Sequence, residues 1–498
     1  MAQIIASVFA ESREQIARCA QKAAMAGADW LELRLDRWQK GRDLEAAIAA
    51  VRLPVLVACR TPEDGGQFRG TLGERRELLS MALEAGAQGL DLEGSETWTP
   101  SVGRTRLRLR IRSFHSFTGV PKELATIAER LHAQPGSIAK LVVTAHDLAD
   151  AAPVLEWLST IDQQAQPTIA FAMGRTAWPT RVLSAALGAP FVYGSIEEGE
   201  ETALGQPPIA LLSGLYRVHG LSRASAVYGL LGNPALQSLG PWVHNRVFRR
   251  LGLDAIYLPF ETSRPEAVLA MLKPCGLRGL SVTAPHKGAM AEQCRRLDDD
   301  AKATGAVNTI VLEHTGMVVG HNTDVVGVRT ALQSVGLTAG QGRCAVVLGS
   351  GGAARAGAVA LRAMGFVVTM LGRSVESLRP FAKVHDVQLG SLSERVLTEL
   401  NPAVVVHATP VGSLGRDPEE RLLPGYRPAA STVVFDMVYQ PRMTALLRDA
   451  AEAGATVVPG IEMFLGQAAA QARAFTGREV DLAWLRNYVA GTVAAKSG

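Results

Sequence analysis

Eight short apolar segments recur through roughly the first two hundred residues, and this recurrence constrains the fold more than any other feature of the chain. They are Ile4–Phe9, Trp30–Asp36, Val55–Cys59, Gly89–Glu93, Leu107–Ser113, Ile138–Val143, Thr168–Met173 and Phe191–Ser195. Between most of them lies enough Ala/Leu/Glu-rich amphipathic sequence for a helix, as in Glu11–Ala26 and Glu74–Ala85. Strands alternating with helices in this number predict an α/β fold of the (β/α)8 type, a TIM barrel. The turn-rich stretch G-Q-P-P-I-A-L-L-S-G, residues 205–214, ends the pattern. The barrel is therefore expected over 1–215, with a boundary between 212 and 224.

A different pattern begins at Ala224. Four β-rich segments (V-Y-G-L-L-G, A-I-Y-L-P-F, L-S-V-T and T-I-V-L-E) are separated by helical sequence up to about residue 327. From Cys344 the order is strand, glycine turn, helix, strand, as in a dinucleotide-binding Rossmann unit. A second α/β domain over 224–327 and a Rossmann domain over 328–460 are expected.

A length of 498 residues is too great for one compact core and suits several domains. A net charge of +4, with no dense Lys/Arg tract, favours neither nucleic acid nor a membrane as partner. No apolar run reaches the roughly 18 residues of a membrane span. Five scattered cysteines lack metal-ligand spacing, so no metal is expected, and they suit a reducing compartment. The N-terminal M-A-Q-I-I-A-S-V-F reads directly as a strand rather than a signal segment, and the expected location is cytoplasmic. Composition leaves the oligomeric state open.

The second apolar segment, L-E-L-R-L-D, sends Leu31, Leu33 and Leu35 to one face and Glu32, Arg34 and Asp36 to the other. Such a strand is either half-solvated or turns its charges into the mouth of a barrel. Arg60, at the end of the third segment, and Asp64 just after it are placed for the second reading, since barrel sites form at C-terminal strand ends. Lys140 stands inside I-A-K-L-V-V-T, otherwise a strand buried on both faces. It either snorkels from a strand end or is buried, and burial would lower its pKa and make it a nucleophilic amine. His115, in S-F-H-S-F after the fifth segment, is either structural or a general acid/base at the same mouth.

These residues resemble the type I 3-dehydroquinate dehydratases, through E-L-R-L-D, C-R-T-P-E-D-G-G, S-F-H-S-F, I-A-K-L-V and T-A-L-G-Q-P. The resemblance implies that Lys140 forms an imine with the substrate ketone and that His115 moves the protons. It also implies that Glu32, Arg34, Arg60, Arg181, Thr202 and Gln206 hold the substrate. Asp64 stands where the family usually has the glutamate beside the histidine, Thr202 replaces a serine, and the loop M-G-R-T-A-W-P-T-R is atypical.

In the second half, V-V-L-G-S-G-G-A-A-R-A runs from a buried strand into a helix. Gly349 permits the tight turn, Gly351 lets the backbone approach a pyrophosphate, and Ala354 takes the third small position. The next strand ends in Arg373 and Ser374 instead of an acid, which suits the 2′-phosphate of NADP(H) over the bare ribose of NAD. Arg373 read alone is a solvated loop cation. Lys287, in V-T-A-P-H-K, and Asp324, in H-N-T-D, could pass a proton at a substrate hydroxyl, or be surface charges.

The chain from about 225 to 490 closely resembles shikimate dehydrogenases, on G-N-P-A-L-Q-S-L-G-P-W-V-H-N, V-T-A-P-H-K, A-V-N-T, N-T-D, H-A-T-P-V-G, D-M-V-Y and G-I-E-M-F-L-G-Q-A. By that resemblance Lys287 and Asp324 are the catalytic pair. Ser238, Gly240, Thr283, Asn308, Tyr439 and Gln467 stand at substrate positions. Gly349, Ser350, Gly351, Gly352, Ala353, Arg373, Ser374 and Thr409 line the NADP site, and residues 461–498 return to close the substrate domain. The usual Ser-x-Ser pair reads Ser238-Leu239-Gly240, which leaves room beside the substrate carboxylate, and the usual Asn-Arg-Thr reads Gly372-Arg373-Ser374. A fusion of the two activities would convert 3-dehydroquinate to 3-dehydroshikimate and then to shikimate, on the way to chorismate and the aromatic amino acids. A quinate-preferring dehydrogenase and a non-catalytic metabolite sensor are the alternatives.

Overall fold

The structure, a computed structural model, describes residues 1–39, 43–94, 96, 98–100, 107–134 and 136–497. It divides into two compact units, Met1–Leu277 and Arg278–Gly498. Gly498, the end of the expected closing segment, lies outside the described residues.

The first unit begins with eight strands: β1 (Gln3–Phe9), β2 (Trp30–Arg34), β3 (Val55–Ala58), β4 (Gly89–Glu93), β5 (Leu109–His115), β6 (Ile138–Thr144), β7 (Thr168–Met173) and β8 (Phe191–Gly194). Their order, β7-β6-β5-β4-β3-β2-β1-β8, is that of a nearly closed parallel barrel. Leu31 and Leu33 are wholly buried, as the alternation of β2 predicts, and Glu32 and Arg34 are buried on the opposite face.

Local chemistry explains where the boundaries differ from the apolar pattern. The expected helix Glu11–Ala26 runs Arg13–Met25, because the Ser12 side chain caps it by accepting the N–H of Gln15. Glu74 opens no helix; it is the third residue of Leu72–Glu84, locked to Thr71 in a reciprocal capping box. Strand two stops at Arg34 rather than Asp36. Leu35–Arg37 forms one 3-10 turn, and Asp36 folds back onto the Arg34 guanidinium at 2.9 and 3.0 Å. Strand five reaches His115 itself, because its ladder with β6 continues to His115↔Val142. After the barrel, β9 (Ala226–Gly232) and β10 (Ala255–Glu261) pair in parallel across the helix Gly240–Arg250.

The second unit opens with β11 (Leu277–Val282), β12 (Arg296–Leu297), β13 (Thr309–Leu312) and β14 (Val318–His321). β13 pairs antiparallel with β11 and β14, and β14 carries β12 in parallel. Two of these escape the apolar pattern: β12 has two residues, and β14 is interrupted by Gly320. Six parallel strands follow: β15 (Cys344–Leu348), β16 (Val367–Gly372), β17 (Gln388–Ser391), β18 (Val404–His407), β19 (Val433–Asp436) and β20 (Thr456–Val458). Their order, β17-β16-β15-β18-β19-β20, reverses beside β15, the switch point at which doubly wound sheets bind nucleotides. The helix Gly460–Thr476 crosses the helix Asp324–Gln333 at close range. A Cβ on Gly327 would stand 2.7 Å from the Met463 carbonyl, and one on Gly466 would meet Thr330 at 2.6 Å.

Among the described residues no helix is long and apolar enough to cross a membrane, and no group of three His, Cys, Asp or Glu side chains could hold a metal. All five cysteines are free.

Candidate active sites

A cavity of about 290 Å³ opens among the C-terminal halves of the barrel strands, and the eight barrel residues to which the resemblance assigns a role line it: Glu32, Arg34, Arg60, His115, Lys140, Arg181, Thr202 and Gln206. Lys140 rises from the middle of β6 with 4% of its surface exposed. Its Nζ is 2.9 Å from Asp91 Oδ2, 4.0 Å from Glu32 Oε1 and 3.9 Å from the centre of the Tyr193 ring. Burial, helped by the Arg60 charge, pushes the Lys140 pKa below that of a free lysine, although Asp91 pulls the other way. Asp91 is pushed up by burial, but Lys140 and Arg60 outweigh that and hold it below the usual carboxylate range. The two directions are compatible. Burial thus loosens the lysine's hold on its proton while the carboxylate beside it stays charged.

The Arg60 guanidinium is the hub of the site. It bonds Asp91 at 2.8 Å, pairs with Glu93, and stands 2.7 and 2.8 Å from the ring nitrogens of His115. His115 Nδ1 lies 2.8 Å from Glu93 Oε1. Burial and the neighbouring Arg60 and Lys140 charges drive the imidazole pKa well below its ordinary value, so the ring is neutral. A neutral ring that donates from Nδ1 to Glu93 carries its lone pair on Nε2, where it accepts from Arg60 at 2.8 Å and from where it can act as a base, an assignment made from the hydrogen-bond network. Glu93 itself is pushed up to about 7 by burial, with Arg60 opposing and Asp91 adding to the rise.

The carboxylate on the histidine is thus Glu93, where the motif suggested Asp64. Asp64 sits on the single 3-10 turn Pro62–Asp64, and its short side chain is taken by Thr61 at 3.1 Å and Arg75 at 3.6 Å. Glu93 ends β4 opposite Ser113 of β5, two residues before His115. The sequence reading also missed Asp91, Ser7 and Tyr193. The first has a signal, because G-L-D-L-E puts two carboxylates at alternate positions on one face of a strand end.

Arg181 is 1% exposed, lies 4.2 Å from the centre of the Phe171 ring, and bonds the carbonyls of Gly205 and Leu204, at 3.2 and 3.4 Å. Among the described residues no acid neutralises it, and burial alone pushes its pKa down to about 9. A buried, uncompensated guanidinium beside a cavity is a seat for a substrate carboxylate. Glu32 Oε1 is buried with no hydrogen bond among the described residues, while its other oxygen takes the Ser7 hydroxyl, which in turn accepts from Thr202 at 2.8 Å. Gln206 Oε1 fixes Thr202 through its N–H at 2.9 Å and its hydroxyl at 3.1 Å.

In the second unit, Lys287 and Asp324 form an ion pair, and Asn308 donates to the other Asp324 oxygen at 2.8 Å. The amide of Asn308 is oriented by the N–H of Thr323, which donates to its oxygen at 2.8 Å. Thr283 accepts the His286 N–H through its carbonyl, in the turn that leads to Lys287. Tyr439 stacks on Phe464 with ring centres 5.4 Å apart, one helical turn before Gln467. Gly349 adopts φ +130°, open to glycine, under Ala408 and Thr409. Gly351 offers no side chain to the first amides of the helix Gly352–Ala363, which leaves them free for a phosphate. A Cβ on Gly352 would lie 3.7 Å from Lys287 Cδ, so the glycine turn and the Lys287–Asp324 pair adjoin. Ser350, Gly372 and Ser374 cluster where an adenosine ribose would end, Ala353 follows in the first turn of the helix, and Arg373 beside them is exposed with no ion pair among the described residues. These groups fit NADP(H).

In the first unit, Ser238 Oγ accepts the N–H of Gly240 at 3.0 Å. The room expected at Gly240 is narrow. A Cβ there would stand 3.3 Å from Ser238 Oγ and 3.5 Å from the hydroxyl of Tyr257, another residue the motifs did not flag.

A family model described as type I 3-dehydroquinase matches residues 4–223, and one described as shikimate dehydrogenase substrate binding domain matches 230–310. The bifunctional 3-dehydroquinate dehydratase/shikimate dehydrogenase of Arabidopsis thaliana, a chloroplastic protein, is 32% identical over 500 aligned positions, covering 95% of this chain and 82% of that one. The chain belongs to that bifunctional family. Its dehydrogenase half is also 36% identical to the shikimate dehydrogenase (NADP(+)) of Chlorobium phaeovibrioides, over 55% of this chain and 99% of the relative. A crystal structure of a shikimate dehydrogenase in complex with NADP+ aligns at a TM-score of 0.50 and 29% identity, over 54% of this chain and 96% of that one.

Proposed function

We propose that this bifunctional enzyme, which dehydrates 3-dehydroquinate and reduces the product to shikimate with NADPH, performs the first reaction through an imine on Lys140 and the second through the Lys287–Asp324 pair. The observation that carries the first half is the burial of Lys140 beside a neutral His115 in a cavity holding an unpaired guanidinium. Arg181 takes the substrate carboxylate, and Glu32, Thr202 and Gln206 receive its hydroxyls. The Lys140 amine adds to the C3 carbonyl and water departs, leaving an iminium. His115 Nε2 removes the acidified C2 proton, and the enamine expels the C1 hydroxyl, which leaves as water with the proton His115 holds. Water then cleaves the iminium and frees the lysine. Glu93 steadies the transient imidazolium through Nδ1.

In the second half, NADPH supplies the hydride. Lys287 donates a proton to the oxygen of the reduced carbonyl, and Asp324, aligned by Asn308, keeps the ammonium in place. On the motifs in which they stand, Ser238 is assigned to the substrate carboxylate, and Thr283, Tyr439 and Gln467 are assigned as substrate ligands. Arg373 meets the 2′-phosphate. The free cysteines suit a reducing compartment, and we place the chain in the cytoplasm.

A coupled assay from 3-dehydroquinate and NADPH tests the reading. Enone absorbance should appear without NADPH, and nicotinamide oxidation should follow only when both reactants are present. NADP+ reduction with quinate exceeding that with shikimate, each assayed in reverse, would assign the second half to quinate.

A further inference from the structure

Glu261 ends β10 with its side chain 3% exposed, and neither reaction described above uses it. A carboxylate so buried must find donors. One oxygen accepts the main-chain N–H groups of Ala235 and Leu236, at 2.8 and 3.2 Å. The other pairs with Arg175, which belongs to the atypical loop M-G-R-T-A-W-P-T-R that follows the barrel strand β7. All of these residues lie within the compact unit Met1–Leu277.

The turn that Glu261 grips leads to Ser238. The Ser238 N–H donates to the Ala235 carbonyl at 3.3 Å, and Ser238 Oγ accepts from Gly240, the first residue of the following helix. The barrel holds the end of β10 a second time. Asp147, in the loop after β6, accepts from the N–H and hydroxyl of Ser263, both at 2.8 Å, and from the hydroxyl of Thr262; Asp150 pairs with Arg264.

We propose that Arg175 is a positioning residue for the dehydrogenase reaction: from the barrel it fixes Glu261, and through Glu261 the Ala235–Ser238 turn that presents Ser238 to the substrate carboxylate. Arg175 is itself 71% exposed, so as an ordinary surface pair it would contribute little to stability. Its partner, however, is buried. Without the guanidinium, Glu261 keeps only its amide donors, and its charge draws it toward water, which loosens the turn. The inference rests on Ser238 being a substrate ligand.

The test is Arg175→Ala in the full chain. The shikimate KM should rise about 3- to 10-fold while kcat, the NADP+ KM and dehydratase activity stay within about twofold, the signature of lost ground-state binding. Hydrogen exchange at the Ala235 and Leu236 amides should quicken. Arg175→Lys should restore most of the affinity, and Glu261→Gln should reproduce the loss without adding to it in the double variant. An unchanged shikimate KM in Arg175→Ala, or a loss confined to kcat, overturns the proposal. Ser238→Ala separates the two ideas. If it leaves the shikimate KM unchanged, the reading of Ser238 fails; if it raises the KM while Arg175→Ala does not, only the role of Arg175 is overturned.

Discussion

The two active sites handle their lysines differently. Lys140 has a side chain 5% exposed and sits beside Asp91 and Glu32, in a buried network in which Arg60 bonds Asp91 and Glu93 and adjoins the neutral His115. Lys287 has a side chain 19% exposed and is held by one carboxylate, itself aligned by Asn308. The difference follows the chemistry. On the imine mechanism proposed here the barrel lysine is itself the nucleophile, and surroundings that weaken its hold on a proton serve that role. In the dehydrogenase the reducing power arrives with NADPH, so the protein supplies only a proton and a fixed geometry.

The contrast breaks first if the two lysines are not independent. Lys140→Ala should lower dehydration by more than about 10⁴-fold, and Lys287→Met should lower shikimate oxidation by about 10²- to 10⁴-fold, each sparing the other reaction. Steady-state rates of both reactions in both variants check this. A shared loss would mean that the halves do not work separately.

Glu93→Gln sharpens the barrel side. With its carboxyl raised to about 7, Glu93 is charged and able to support the imidazolium only above that pH. Dehydratase kcat should therefore rise through pH 7, and in Glu93→Gln that limb should vanish with a loss of about 10- to 100-fold. Stability should move the opposite way. A carboxyl whose folded pKa is raised gives its full stabilisation below pH 4.5 and loses it as pH climbs through about 7. Denaturation midpoints should fall across that window in the unmodified protein and less so in the variant.

Much of this was legible in the sequence, for a physical reason. A lysine inside an apolar strand stands out because burying charge is costly, and an arginine where an acid would otherwise end a strand stands out because it reverses the charge offered to the ribose. Eight barrel residues read from the chain do line one cavity. Glu93 was not legible as the partner of His115, because it reaches the histidine only through the adjacency of β4 and β5. Asp64 was nearer to the expected motif, but it is a methylene shorter and engaged by Thr61 and Arg75. The grip of Arg175 on Glu261 joins residues 86 apart in sequence, and no spacing rule anticipates it.

On the dehydrogenase side the expected effects are smaller. Arg373→Ala should weaken NADPH by about tenfold, the lower end for a charged hydrogen bond because the guanidinium is exposed, and leave NADH nearly unchanged. Dissociation constants for both nucleotides check it, and equal loss for both would remove the 2′-phosphate contact. Gly240→Ser should change the shikimate KM least, by about two- to fivefold and upward, since its Cβ must displace the Ser238 hydroxyl it meets at 3.3 Å. A lower KM would show that Ser238 yields and that the added hydroxyl binds substrate.

The most direct measurement is reductive trapping. Borohydride added with 3-dehydroquinate should inactivate dehydration and leave a reduced adduct that peptide mapping places on Lys140 alone, with shikimate oxidation intact. Dehydration that survives this treatment without an adduct on Lys140, or an adduct on another lysine, would contradict the claim that burial has made this residue the nucleophile.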